Sequence, residues 1–126
     1  MLAARPKTLV ASIIPVSLGT SLAFQQSEDL SFALIAMCFL FSFLLQIATN
    51  FANDYFDFLK GADEKRTLGP KRFSTHGVIA GLDLRNASYT LLFFAFILGV
   101  FMMENSGASR WLLLIGIASV LSAIAY

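Results

Sequence analysis

The sequence predicts an all-α, polytopic transmembrane helical bundle, with four spans in this stretch of chain. Three observations predict it. Hydrophobic residues make up 57% of the 126 residues and charged residues 13%, about half the roughly 25% charged share of a soluble domain. The mean hydropathy is +0.73. The apolar residues gather into four runs, and none alternates apolar and polar positions with period two. A membrane barrel would need many alternating segments of about ten residues, so helices are the reading that fits.

The first run extends from about Leu9 to Phe24 and the second from about Leu30 to Thr49. The third runs from about Ala87 to Met103 and the fourth from Trp111 to Tyr126. A helix crosses the hydrocarbon core with about 20 apolar residues, so the second is ample and the first and fourth are marginal. Pro15, Ser12 and Gly19 interrupt the first run. Membrane helices tolerate such residues when neighbours cover the freed backbone groups. Ala11, Gly19 and Ala23 predict close helix packing. Arg5 and Lys7 before this run resemble a signal peptide, but no small-residue cleavage site follows and three more apolar runs come after it. The fourth run reaches Tyr126 without a polar flank. We therefore expect residues 1–126 to be the N-terminal part of one membrane domain whose natural chain continues.

Orientation follows from the basic residues. Arg5 and Lys7 precede the first run, and Lys60, Lys65, Arg66, Lys71, Arg72 and Arg85 lie between the second and third. Eight of the nine basic residues thus fall on one side, which the positive-inside rule makes cytoplasmic. The N-terminus and a loop of about residues 58–86 are then expected inside, in the cytoplasmic (inner) membrane of a cell. No basic block interleaves with aromatics, so nucleic acid is not an expected partner. Cys38 stands alone in an apolar run and reads as a small apolar residue. His76 sits among Ser74, Thr75 and Gly77 and reads as a loop histidine.

The chemistry concentrates where the second run ends, at Asn50-Phe51-Ala52-Asn53-Asp54-Tyr55-Phe56-Asp57. If the helix continues, Asn50, Asn53, Asp54 and Asp57 stand at i, i+3, i+4 and i+7, on one face. Gln46 lies a turn earlier on that face, and Asp63 follows after Gly61. Carboxylates one turn apart with amide oxygens beside them suit a hard cation such as magnesium, which is usually shared with substrate phosphates. The absence of His and Cys from the cluster argues against zinc or copper. Ionisable groups at membrane depth are costly and usually functional. A polar helix end in the interfacial zone is the plainer alternative. Lys65, Arg66, Lys71 and Arg72 follow within one short loop and suit phosphate oxygens. Ordinary positive-inside enrichment also explains any one of them.

These residues resemble the UbiA-type membrane prenyltransferase superfamily, whose first motif is Asn-Asp-x-x-Asp at the end of the second span. Here it reads Asn53-Asp54-Tyr55-Phe56-Asp57. Many members carry a third Asp four residues later, where this chain has Gly61, with Asp63 two further on. The stretch from Asp57 to Asp63, the opening Ala4-Arg5-Pro6-Lys7-Thr8-Leu9 and Leu68-Gly69-Pro70-Lys71-Arg72 match the menaquinone branch better. The resemblance implies a bundle of about nine spans and a second Asp-rich motif near the sixth, absent from this sequence. It implies a Mg2+-dependent enzyme that moves a polyprenyl group from polyprenyl diphosphate to 1,4-dihydroxy-2-naphthoate, with loss of carbon dioxide. On that reading Asp54 and Asp57 are catalytic, and Asn50, Asn53, Asp54, Asp57 and Asp63 hold the metal. Lys65, Arg66, Lys71 and Arg72 take the diphosphate, and the lipid bilayer is the solvent. A different aromatic acceptor, of the 4-hydroxybenzoate or homogentisate type, is the near alternative. An ion-transporting or non-catalytic membrane protein is the distant one. Transport would want further mid-membrane polar groups, and away from their ends the third and fourth runs offer only Ser119 and Ser122.

Overall fold

The computed structural model describes residues 6–26, 30–59, 81–107 and 111–125, all but a few of them in four helices. These are α1 (Pro6–Gln26), α2 (Phe32–Leu59), α3 (Gly81–Ser106) and α4 (Trp111–Ala125). The described residues contain no strand, as the lack of alternation predicts.

Local chemistry sets several helix ends. Pro6 opens α1 where its missing N–H costs nothing, because the first-turn donors have no intrahelical partner in any helix. Ser31 stands before α2 with its Oγ 3.5 Å from the Leu34 amide, and its carbonyl accepts from the Ile35 amide at 3.1 Å. Asp83 lies in the first turn of α3, where a negative charge meets the positive end of the helix dipole. Gly107 ends α3 with φ of 63°, a left-handed conformation that glycine adopts without the Cβ penalty. Pro15 sits inside α1, which nonetheless runs unbroken for 21 residues.

Two boundaries differ from the sequence expectation. The α2 helix runs ten residues past Thr49, through the whole Asn/Asp motif, and α3 begins at Gly81 rather than near Ala87. Residues 81–86, expected as loop, are therefore helix. The reason is the same at both places. Apolar runs mark the part of a helix immersed in lipid, whereas hydrogen bonding carries the helix on for as long as its polar residues find cover or water.

Among the described residues, three helices are long and apolar enough to cross a membrane: Thr8–Gln26, Phe32–Asp57 and Leu82–Ser106. The fourth run of the sequence also forms a helix, α4. Its described apolar stretch is Trp111–Ser122, shorter than those of the other three helices.

The α2 helix is the centre of the bundle. It packs most extensively on α3, then on α1, while α4 leans mainly on α3. Ser42 Oγ donates to the Ser12 carbonyl at 3.2 Å and Asn50 Nδ2 to Thr8 Oγ1 at 3.0 Å, so α1 and α2 run antiparallel. Ser88 Oγ donates to the Ala48 carbonyl at 2.8 Å. Such interhelical bonds average about 0.6 kcal/mol in lipid, too little to hold the bundle unaided. Close approach does the rest. The buried apolar residues among those described are Ala48, Ala52, Leu84, Leu92 and Ala95, three of them alanine. Outward positions such as Ile14, Leu18, Phe93 and Trp111 are exposed and apolar, the pattern of a protein whose solvent is lipid.

Gly99 tests this packing. A Cβ there would come 3.1 Å from Phe41 Cε2, so a methyl requires a small shift of the ring and a branched side chain a large one. Gly99→Val is expected to destabilise the α2–α3 pair by about 1–3 kcal/mol, and Gly99→Ala by much less. Thermal unfolding in detergent followed by circular dichroism checks it; equal midpoints for the two variants would contradict the close approach.

Candidate functional site

The extension of α2 decides the geometry of the motif. Because the helix is continuous to Leu59, Asn50, Asn53, Asp54 and Asp57 do share one face, and the stripe rises about 10 Å along the axis at 1.5 Å per residue. At about 100° per residue, Ala48 and Ala52 fall on the opposite side, the side that meets α3. The helix is thus divided lengthwise at its polar end. Small residues face α3, and amides and carboxylates face away from it.

The stripe is not a solvated helix end. Asn50 is 3% exposed and Asp54 2%, while Asn53, Asp57 and Gln46 are half-buried. A buried carboxylate or amide must be hydrogen-bonded or paired to persist. Asn50 meets this through its bond to Thr8 at the start of α1. Asn50, Asp54 and Asp57 all take part in further polar interactions. The plainer reading, a polar terminus in interfacial water, fits Asp57 better than it fits Asp54.

The donor set bears on which ion the stripe suits. Two carboxylates and two amide oxygens lie along one helix face, and all are hard oxygen ligands of the kind magnesium or manganese takes. No group of three or more His, Cys, Asp or Glu gathers among the described residues. A cation here would therefore draw on amide oxygens and on ligands from outside the stripe. Asp63, Lys65, Arg66, Lys71 and Arg72, the other expected site residues, lie outside the described residues, as does His76.

Sequence reasoning counted Arg85 only as a loop charge. In the structure it sits on the second turn of α3, in a crevice against Ala52, Tyr55 and Phe56 of α2. Its Nε is buried without a hydrogen-bond partner, and an Nη donates to Asn86 Oδ1 at 3.4 Å. The guanidinium thus backs the motif helix from the side opposite the stripe. The i, i+4, i+8 spacing of Leu84, Ser88 and Leu92 was the available signal that this segment is helical and inward-facing.

Two apolar clefts lie farther along the bundle. One is lined by α2, α3 and α4, and the other by α1, Leu30, α2 and Met102. They share Leu34, Cys38, Phe41, Leu45 and Met102. Leu45, their lining residue nearest the stripe on α2, is five residues from Asn50, about 8 Å along the helix. In α4, Ser119 Oγ donates to its own helix at the Ile115 carbonyl, 2.8 Å away, so this hydroxyl is spent locally.

Comparison with known proteins now adds to this geometry. The model of the UbiA prenyltransferase family matches residues 12–126. A 1,4-dihydroxy-2-naphthoate octaprenyltransferase of Bacillus subtilis is 42% identical over 127 residues, covering 97% of this chain and 38% of that protein. The protein of the same name from Haemophilus influenzae is 30% identical over 128 residues, covering 98% of this chain and 42% of that protein. The chain therefore spans about two fifths of the length of these relatives. A UbiA prenyltransferase domain-containing protein 1 of Xenopus tropicalis is 39% identical over 67 residues, 53% of this chain and 19% of that protein. No solved structure matches the chain.

Proposed function

The chain belongs to the UbiA prenyltransferase family, and from that premise we propose that the protein transfers a polyprenyl group from polyprenyl diphosphate to 1,4-dihydroxy-2-naphthoate. The observation that carries the reading is the partly buried Asn50/Asn53/Asp54/Asp57 stripe at the polar end of α2. The names of the Bacillus and Haemophilus relatives support the choice of acceptor. Residues 1–126 are then the N-terminal part of one prenyltransferase domain. Its place is the cytoplasmic membrane, with the N-terminus and the segment between α2 and α3 inside, on the strength of the basic-residue asymmetry.

In this reading Asn50, Asn53, Asp54 and Asp57, with Asp63, hold a divalent cation, for which Mg2+ is the candidate. Bound there, the cation neutralises charge that develops on the departing diphosphate. Asp54 and Asp57 are the residues that touch this reacting end. Lys65, Arg66, Lys71 and Arg72 grip the phosphate oxygens and hold the leaving group in register. The polyprenyl tail runs away from the stripe along apolar surface of the kind found at Phe41 and Leu45. The overall change breaks the allylic C–O bond and forms a C–C bond at the ring carbon that bears the carboxylate. The carboxylate leaves as carbon dioxide and its bonding electrons return to the ring.

The test is turnover of the purified protein with polyprenyl diphosphate and dihydroxynaphthoate, with prenylated product and carbon dioxide both measured. Asp57→Asn should lower turnover by about 10²-fold. Wild-type turnover in the variant would remove Asp57 from the site. Product without carbon dioxide would indicate another aromatic acceptor chemistry.

A further inference from the structure

We propose that Thr8 is a positioning residue for the amide of Asn50, turning its oxygen toward the cation side of the stripe. The inference rests on the cation-site reading given above and goes beyond it by bringing α1 into the site. Thr8 precedes the residues matched to the family, 12–126, and it lies in the opening Arg5-Pro6-Lys7-Thr8-Leu9.

The geometry is specific. Asn50 Nδ2 donates to Thr8 Oγ1 at 3.0 Å across 42 residues of sequence, and Asn50 is only 3% exposed. A carboxamide is planar, with its nitrogen and oxygen on separate arms. Committing the nitrogen to α1 turns the oxygen off α1. A hard cation takes the oxygen of an amide and never its NH2 group. An asparagine ligand therefore has a right and a wrong rotamer, related by a half-turn of the amide. In water that choice costs little. In a buried site each arm needs a suitable partner, and the Thr8 hydroxyl, accepting from the nitrogen here, favours the rotamer whose oxygen points away from α1. This is how groups outside the ligand shell commonly tune metal sites, and their loss typically costs 10- to 100-fold in metal affinity. The α1 start is itself held in place by a second contact one turn on, from Ser42 Oγ to the Ser12 carbonyl at 3.2 Å. The orienting group is thus anchored independently of Asn50.

A purely structural role, one interhelical hydrogen bond among several, would make a different prediction. It would lower stability slightly and leave metal affinity alone. The discriminating measurement is direct metal binding, with Mn2+ as the spectroscopic probe, titrated by electron paramagnetic resonance. The full protein is held in detergent micelles with a non-reactive polyprenyl thiolodiphosphate. Thr8→Val keeps the shape and removes the acceptor, and should weaken Mn2+ binding about tenfold. Thr8→Ser should restore it. In an Asn50→Ala background, Thr8→Val should have no further effect, because the residue acts through Asn50. Thr8→Ala provides the same comparison if the valine variant does not fold. Wild-type Mn2+ affinity in Thr8→Val or Thr8→Ala, or an undiminished effect in the Asn50→Ala background, would overturn the proposal while leaving the cation site standing. Absence of Mn2+ binding by the wild-type protein would overturn the cation site, and this inference with it.

Discussion

Asp54→Asn is expected to reduce prenyl transfer by about 10³-fold, the upper end of what removing one fixed electrostatic group costs, and to do so without unfolding the protein. Asp54 is 2% exposed and stands in the middle of the stripe on α2. Asparagine matches its shape and has nearly the same helix propensity, so the bundle has no steric reason to change. What is lost is a carboxylate oxygen, a hard-cation ligand, in a place that water does not reach to replace it. Asp57, half-buried one turn on, has water to compensate and should lose less when changed in the same way. The order Asp54 worse than Asp57 is therefore part of the prediction. Two measurements check it together. One is isotopic transfer from polyprenyl diphosphate. The other is the thermal midpoint with and without Mg2+ and the diphosphate. A ligand that binds only the folded state raises the midpoint, and Asp54→Asn should lose that rise while keeping the unliganded midpoint. Retained transfer would return Asp54 to a structural role.

Ala48→Leu should be the most damaging change in the packing. Ala48 is 0% exposed, and α3 approaches there closely enough for Ser88 to reach the Ala48 carbonyl at 2.8 Å. A leucine adds three carbons where two helix backbones meet. Overpacking of this kind costs about 1–3 kcal/mol, and the Ser88 bond, worth about 0.6 kcal/mol, goes with it. Because the stripe lies on the far side of the same helix, a displaced α2 also moves the site, so activity and stability should fall together. Ala36→Leu is the control. Ala36 is on an exposed position of the same helix, and a leucine there meets no neighbour within these four helices. Unfolding midpoints in detergent decide the matter. If Ala48→Leu melts with Ala36→Leu, the α2–α3 contact is not the tight one described.

Much of the candidate site was legible because its signal is local. The i, i+3, i+4, i+7 spacing of Asn50, Asn53, Asp54 and Asp57 puts them on one face of any helix that contains them, whatever surrounds it. Three facts were not legible. That α2 continues past Thr49 was only conditional, since hydropathy falls as the polar residues begin. That Asn50 and Asp54 are buried while Asn53 and Asp57 are half-buried depends on where α1 and α3 lie. That Arg85 is set into α3 behind the motif, rather than free in a loop, depends on α3 starting at Gly81.

The sequence by itself determined the solvent, the secondary structure and the chemistry of the ligands. Composition and run length require helices in lipid, because an unpaired backbone in hydrocarbon costs too much for any other spanning structure except a closed barrel. The residue types of the stripe require a hard cation if they hold one at all. Only the tertiary structure decided which residues touch across helices. Thr8 meets Asn50, and Ser88 meets Ala48, over separations of 42 and 40 residues. Those pairings follow from how antiparallel helices settle where alanine and glycine let their backbones come close. No single helix contains that information, because the face it buries is set by its neighbours as much as by its own residues.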